Sequence, residues 1–239
     1  MEPATTSHPP DGYLQSVREI CHKNGALLIL DEMITGFRWH LKGAQYYYNV
    51  EPDLCTFGKA MANGFSLAAL GGKREIMQLG SIEFEGQERV FLLSTTHGAE
   101  MSALAAFIAT VKIIKERNVI EHIWQYGKKL INLMNEMARE FGIEDYFKAG
   151  GVECSPYYVT YDKYKQPSLP MKTLFMQEMI KRGVFIPWIA LSFSHGEIEL
   201  ERTANALKHA LKIYSLALED GWEKYIQGHV IKPVFRKYN

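Results

Sequence analysis

The sequence predicts an α/β protein, with a mainly parallel sheet in its first half and a smaller α/β layer after it. Two features carry that expectation. Short apolar runs without alternation, best seen in the Ala-Leu-Leu-Ile-Leu of residues 26–30, have the composition of strands covered on both faces. Segments with apolar residues at helical spacing lie between and after these runs. The chain has 239 residues, 47% of them hydrophobic, enough for one large domain or two small ones.

The elements follow in order. Pro9-Pro10-Asp11 closes an irregular lead-in, and Asp11 is positioned to cap a helix that sets Leu14, Val17 and Cys21 on one face. Asn24-Gly25 ends that helix. The strand of residues 26–30 then runs into Asp31-Glu32. Further strands are expected at residues 54–57, at 67–70 closed by Gly71-Gly72, and at 90–93. Met101–Glu116 is apolar nearly all round, as a buried helix would be. Residues 119–141 carry apolar side chains at 120, 123, 124, 130, 131, 134, 137 and 141, which is helical spacing. Beyond Gly150-Gly151 the pattern predicts a strand over 157–161, a helix over 174–181 ended by Gly183, a strand over 184–187 and a helix over 197–218. The domain change is expected between residues 114 and 119, giving units of 1–116 and 117–239.

Composition narrows the function classes. Lys+Arg and Asp+Glu both number 27, and no long basic run appears, which argues against a nucleic-acid partner. Cys21, Cys55 and Cys154 are widely spaced with no Cys-x-x-Cys, so neither a zinc site nor a disulfide framework is expected. The histidines show no metal-ligand spacing, and no metal is expected. Residues 1–10 have no basic flank and no apolar stretch, so no signal peptide is expected. No apolar segment reaches the roughly 18 residues that span a bilayer. A soluble, cytoplasmic protein is the expectation.

Two segments stand out at the carboxyl ends of strands, where open α/β sheets bind ligands. The first is Asp31-Glu32-Met33-Ile34-Thr35-Gly36-Phe37-Arg38, and the second is Thr56-Phe57-Gly58-Lys59-Ala60-Met61-Ala62-Asn63-Gly64. A carboxylate at the end of an apolar strand needs a partner, and a protonated pyridine nitrogen is one. Taken alone, Asp31 is read more simply as a helix cap or surface ion pair. A lysine in an apolar loop, such as Lys59, can be partly desolvated, which frees its amine to form an imine. Taken alone, Lys59 is read more simply as an exposed loop lysine. Leu93-Ser94-Thr95-Thr96-His97-Gly98-Ala99-Glu100 precedes a helix; its hydroxyls and amides suit a phosphate or plain capping equally. His97 is read as structural, and Phe37, Trp39 and Tyr46-Tyr47-Tyr48 as packing or a pocket wall.

Order and spacing add what single residues lack. Residues 25–38, with Asp31-Glu32-Met33-Ile34-Thr35-Gly36-Phe37-Arg38 at their end, resemble the aspartate strand of class III pyridoxal-phosphate (PLP) aminotransferases, nearest the glutamate-1-semialdehyde aminomutase-like branch. The likeness continues through Gly43-Ala44-Gln45, Pro52-Asp53-Leu54, Gly58-Lys59 and Gly71-Gly72-Lys73-Arg74-Glu75-Ile76-Met77, and covers residues 2–211. It implies fold type I, with part of a large PLP-binding domain followed by a small C-terminal domain. It implies that Asp31 pairs with the pyridine nitrogen, Met33 packs on the ring where a valine is usual, and Lys59 forms the Schiff base and shuttles a proton. It also implies that Thr95, with Thr96 beside it, reaches the phosphate of the neighbouring subunit's cofactor in a homodimer with shared active sites. The substrates implied are an amino donor and a carbonyl acceptor, or a single molecule whose amino group migrates. Met61-Ala62-Asn63-Gly64 replaces the common glycine cluster on the substrate side. The resemblance further implies that the chain begins midway through the large domain. The preceding part would supply most phosphate donors and a ring-stacking aromatic. A non-catalytic chain that keeps a dimerisation surface is the alternative, and a nucleotide-binding protein is disfavoured by the absence of Gly-x-Gly-x-x-Gly.

Overall fold

The computed structural model describes residues 7–83, 85, 86, 88–90, 98 and 100–232. It divides into two compact units, Met1–His122 and Ile123–Asn239. The division falls inside a helix, past the 114–119 segment where the sequence suggested it.

In the first unit, helix α1 (Tyr13–Lys23) packs Leu14, with Val17 and Cys21, against Leu28, Leu30 and Val50. Its start is Gly12 in a left-handed conformation with no side-chain cap, so Asp11 does not cap it. Strand β1 (Ile29–Asp31) is followed by the short helix α2 (Ala44–Tyr47) and strand β2 (Leu54–Phe57). Strand β3 (Ala69–Gly72) leads into the short helix α3 (Arg74–Met77). The sheet order is β1-β2-β3, with β1 parallel to β2 and β3 antiparallel to β2. Gly71-Gly72 are therefore the last two residues of β3, not residues that follow it. A Cβ on Gly72 would meet the Asp53 carbonyl and Leu54, which is why the strand can lie so close there. Residues 91–93 of the expected fourth strand lie outside the described residues.

The expected double-sided burial of residues 26–30 is not observed. Leu28 and Leu30 are buried, whereas Leu27 and Ile29 are 54% and 55% exposed. The continuous apolar run reports two apolar faces, and this chain covers one. Helix α4 (Met101–Glu116) has the expected bounds, yet only Ala103 and Ile114 are buried along it. Helix α5 spans Val119–Glu140.

In the second unit, β4 (Phe147–Val152) and β5 (Ser155–Thr160) form an antiparallel hairpin in register from Phe147↔Thr160 to Val152↔Ser155. Gly150 and Gly151 lie inside β4 instead of marking a boundary. Helix α6 (Leu169–Lys181) starts at Ser168, whose Oγ accepts from the Met171 amide at 3.3 Å, and has Pro170 in its first turn. Helix α7 (Glu197–Asp220) opens with Glu199 accepting from the Gly196 amide at 2.9 Å. Residues 184–187 form no strand. Their apolar character goes into lining a cavity instead. The core of this unit is Phe147, Tyr158, Phe175 and Tyr214, with ring centroids 4.9–6.0 Å apart. Among the described residues, no helix is long and apolar enough to cross a membrane.

Candidate functional site

Parallel pairing brings the carboxyl ends of β1 and β2 to one edge of the sheet. Asp31 ends β1 and sits opposite Thr56 of β2. Its Oδ1 accepts from the Met33 amide at 2.9 Å and from Thr56 Oγ1 at 3.3 Å. Both bonds fall on the same oxygen. Among the described residues Oδ2 has no hydrogen-bond partner, and the residue is exposed. The carboxylate is thus turned and held from one side, with an acceptor oxygen open on the other.

Lys59 follows β2 in a single 3-10 turn, Lys59–Met61. Buried Met61 and Ala62, 3% and 1% exposed, anchor that turn. The Lys59 backbone has φ 45°, in the left-handed region where a non-glycine residue costs about 1 kcal/mol or more. It is exposed in this chain, in line with the simpler reading of a loop lysine and not with a desolvated amine. The preceding Gly58 is buried and extended. A Cβ there would come within 2.7 Å of Met33 Cε and 2.8 Å of its Sδ. The Met33 side chain therefore lies against the backbone that enters Lys59. This contact joins the Asp31 segment to the Lys59 segment.

Sequence reasoning missed the group that holds the Asp31 loop. Glu32 is fully buried and accepts from Thr35 Oγ1 at 2.6 Å, the Ala44 amide at 2.7 Å and the Gln45 amide at 2.8 Å. Its own amide donates to the Thr56 carbonyl at 2.9 Å. The acid thereby ties the chain after β1 to the start of α2 and to β2. Gly43, at φ 84°, leaves room for it, since a Cβ would meet Glu32 Oε1 at 2.6 Å. Nothing local in sequence marks Glu32 as buried; its partners lie up to 13 residues away.

Asp53 does the same on the far side of the sheet. It is 3% exposed and takes Lys73 Nζ at 2.6 Å, the Leu28 amide at 2.7 Å and His22 Nε2 at 3.1 Å. The Lys73 hydrogen bond and then the Leu28 amide hold its carboxyl well below the ordinary value.

Thr95, Thr96 and His97 lie outside the described residues. Trp39 is buried, with Nε1 donating to Tyr48 Oη at 3.2 Å, and Tyr46 stacks on His40 at 4.2 Å. Phe37 meets Phe57 and Phe107 edge-on at 5.8 and 6.2 Å. These aromatics pack the loops that follow β1. Among the described residues no group of side chains is arranged to hold a metal ion.

The family description Aminotransferase class-III matches residues 4–152. The chain belongs to the class III aminotransferase family. It is 33% identical over 216 residues to a glutamate-1-semialdehyde 2,1-aminomutase of Pelotomaculum thermopropionicum, covering 85% of this chain and 48% of that protein. It is also 33% identical over 216 residues to a 3-aminobutyryl-CoA aminotransferase of Cloacimonas acidaminovorans, covering 87% and 49%. Among solved structures, an omega-transaminase from Sphaerobacter thermophilus superposes with a TM-score of 0.75 at 23% identity, over 89% of this chain and 50% of that one. The FumI protein of Sphingopyxis sp. MTA144, in its PLP internal aldimine form, gives 0.73 at 23% identity over 87% and 48%. The fold is that of the PLP-dependent type I transferases. The chain spans about half the length of the curated relatives it matches.

PLP is the cofactor of this family, and the residues present fit it. A pyridinium N–H needs an ionised acceptor, and Asp31 offers one oriented carboxylate with a free oxygen. An aldehyde needs a primary amine to form an imine, and Lys59 carries one just past the adjacent strand end.

Proposed function

We propose that this chain carries the lysine and aspartate of a PLP site that moves an amino group, by transfer between molecules or by migration within one. The observation that supports this most strongly is Asp31, fixed through Oδ1 with Oδ2 open, at the same sheet edge as Lys59. When bound, PLP supplies a conjugated ring that stabilises negative charge developing beside the transferred nitrogen. Asp31 Oδ2 would accept the pyridine N–H and keep that proton in place. Lys59 Nζ would hold the cofactor covalently and, once released, carry a proton between the carbons that exchange the amino group. Met33 would bear on one face of the ring. Thr95 and Thr96 would contribute to the phosphate contacts. On this reading residues 1–116 are part of the large domain and 117–239 are the small one. The substrates are an amine and a carbonyl compound, and the setting is the cytoplasm.

A homodimer with shared sites is part of the proposal. It is supported by the uncovered apolar residues of the first unit, Ile29 in β1 with Leu27 before it, and Met101 and Ile108 on α4, which are 54–80% exposed. The same exposure favours a second reading, in which the chain serves as a non-catalytic interaction partner of a longer relative.

Borohydride trapping separates the two. The chain, alone and mixed with the amino-terminal half of a class III relative, is incubated with PLP, reduced and digested. The expected product is a cofactor-labelled peptide containing Lys59, absent from Lys59→Ala. Labelling confined to other lysines, or no labelling in either mixture, would reject the catalytic reading.

A further inference from the structure

The second unit contains an open cavity of about 870 Å³ against the carboxyl-terminal end of α6, remote in sequence from Asp31 and Lys59. Arg182, Arg202, Lys208, His209 and Lys212 line it. On α7, residues 202, 205, 209 and 212 follow the spacing of one helical stripe, which extends about 15 Å along the axis. Arg182 faces the same space from the end of α6. A single carboxylate, Glu140, is the acidic member of the lining. Among the described residues Arg202, Lys208 and Lys212 form no ion pair within 4 Å, although Arg202 lies near enough to Glu199 to help hold its carboxyl down, after the Gly196 amide.

Two simpler accounts are insufficient. Cations at a helix carboxyl terminus complement its dipole, and that explains Lys181 and Arg182. It does not explain Arg202, Lys208 and Lys212, which lie in the middle turns of a helix that ends at Asp220. Nor are all these groups loose on the surface. Glu178, 4% exposed, accepts from His209 Nε2 at 3.1 Å, and also from Lys181 Nζ and Gln177 Nε2, both at 2.7 Å. Arg182 Nη2 lies 3.0 Å from His209 Nδ1. This pattern fits a ring with its proton on Nε2, donating to Glu178 while Nδ1 accepts from Arg182. A buried carboxylate thus orients the histidine, and the histidine orients the guanidinium at the cavity wall.

We infer that this cavity binds a diphosphate-bearing small molecule. Several cations converging on one concave site repel one another, and a multiply charged anion relieves that cost. The planar guanidinium forks of Arg182 and Arg202 match phosphate oxygens in pairs, with Lys208 and Lys212 as point charges beside them. Phe141 and Val184 form an apolar part of the lining on which a flat base or chain can rest. The short stripe and the zero formal charge of the whole chain favour a small molecule over a nucleic-acid track.

Titration calorimetry of the full chain tests this with two probes, inorganic pyrophosphate and ADP. Saturable one-to-one binding is expected, weakening as salt is raised. The combined substitution of Arg202→Gln, Lys208→Gln and Lys212→Gln should weaken it by about tenfold or more while leaving the melting curve unchanged. Lys163→Gln, a basic residue elsewhere on the unit, should leave it intact. Lys59→Ala should also bind normally, which separates this site from any PLP site. Tighter binding of ADP than of pyrophosphate assigns the apolar lining to a base, and equal binding assigns the site to the diphosphate alone. Absence of binding, or binding unaffected by the triple substitution, overturns the inference.

Discussion

At the scale of single residues, two buried acids, Glu32 and Asp53, organise the sheet that carries Asp31 and Lys59. The partners of Asp53 make its contribution depend on pH. Lys73, the Leu28 amide and His22 all stabilise its ionised form, so its carboxyl is held well below the ordinary 3.8. A depressed value means that the folded state binds its proton later than the unfolded chain does. The contribution is therefore complete above pH 3.8 and is lost as pH falls below that toward the folded value. Asp53→Asn should cost about 2–3 kcal/mol at neutral pH, because Lys73 and the Leu28 amide lose a charged acceptor. Denaturant titrations of both proteins from pH 7 downwards should show the gap narrowing below pH 3.8. A gap that stays constant to pH 2 would show that the carboxylate is not what the fold uses there. Neither Asp53 nor Glu32 was legible as buried from the sequence. Both adjoin apolar strands, but the amides that bond Glu32 and the Lys73 that pairs with Asp53 come from elsewhere in the chain. Asp31 and Lys59 drew notice for their places after two strands, but only the order and spacing of the surrounding segments raised them above a capping carboxylate and an exposed loop lysine.

At the scale of elements, helices were read more accurately than strands. The 3.6-residue spacing of Leu14, Val17 and Cys21, and the bounds of Met101–Glu116, are local properties of the chain. Whether residues 184–187 find a strand partner is not local, and they do not. The same limit applies to Gly127 in α5, which looks like an ordinary helix-weakening glycine. A Cβ at Gly127 would overlap the carbonyl of Glu153 in the turn between β4 and β5, and would lie 2.8 Å from Leu191 Cδ1. Alanine normally improves a helix interior by about 1 kcal/mol over glycine. Here the obstacle is backbone, which cannot swing aside, so the overlap wins. Gly127→Ala should destabilise the protein by about 3 kcal/mol, measured by chemical denaturation. Gly150→Ala provides the comparison: its nearest new neighbour is Tyr157 Oη at 3.7 Å, and a change of less than about 1 kcal/mol is expected. Equal effects would mean that the turn moves freely with respect to the helix.

At the scale of the molecule, apolar composition overstates what this chain buries. Residues 26–30 and α4 have the sequences of elements covered all round, yet Leu27, Ile29, Met101 and Ile108 remain 54–80% exposed. Burying a half-exposed Leu, Ile or Met side chain recovers about 1 kcal/mol, so these four, counted on both copies, contribute about 8 kcal/mol. That falls within the range of the entropic cost of bringing two proteins together. Association through these residues alone should then be weak, reversible and dependent on concentration. Sedimentation velocity over a range of protein concentrations should show a monomer shifting toward a dimer. Ile29→Glu or Ile108→Glu should hold the chain monomeric, since each adds a charge to desolvate as well as removing the apolar gain. A wild-type chain that remains monomeric at the highest soluble concentration would show that these faces do not meet one another, and the proposed dimer would need a different surface.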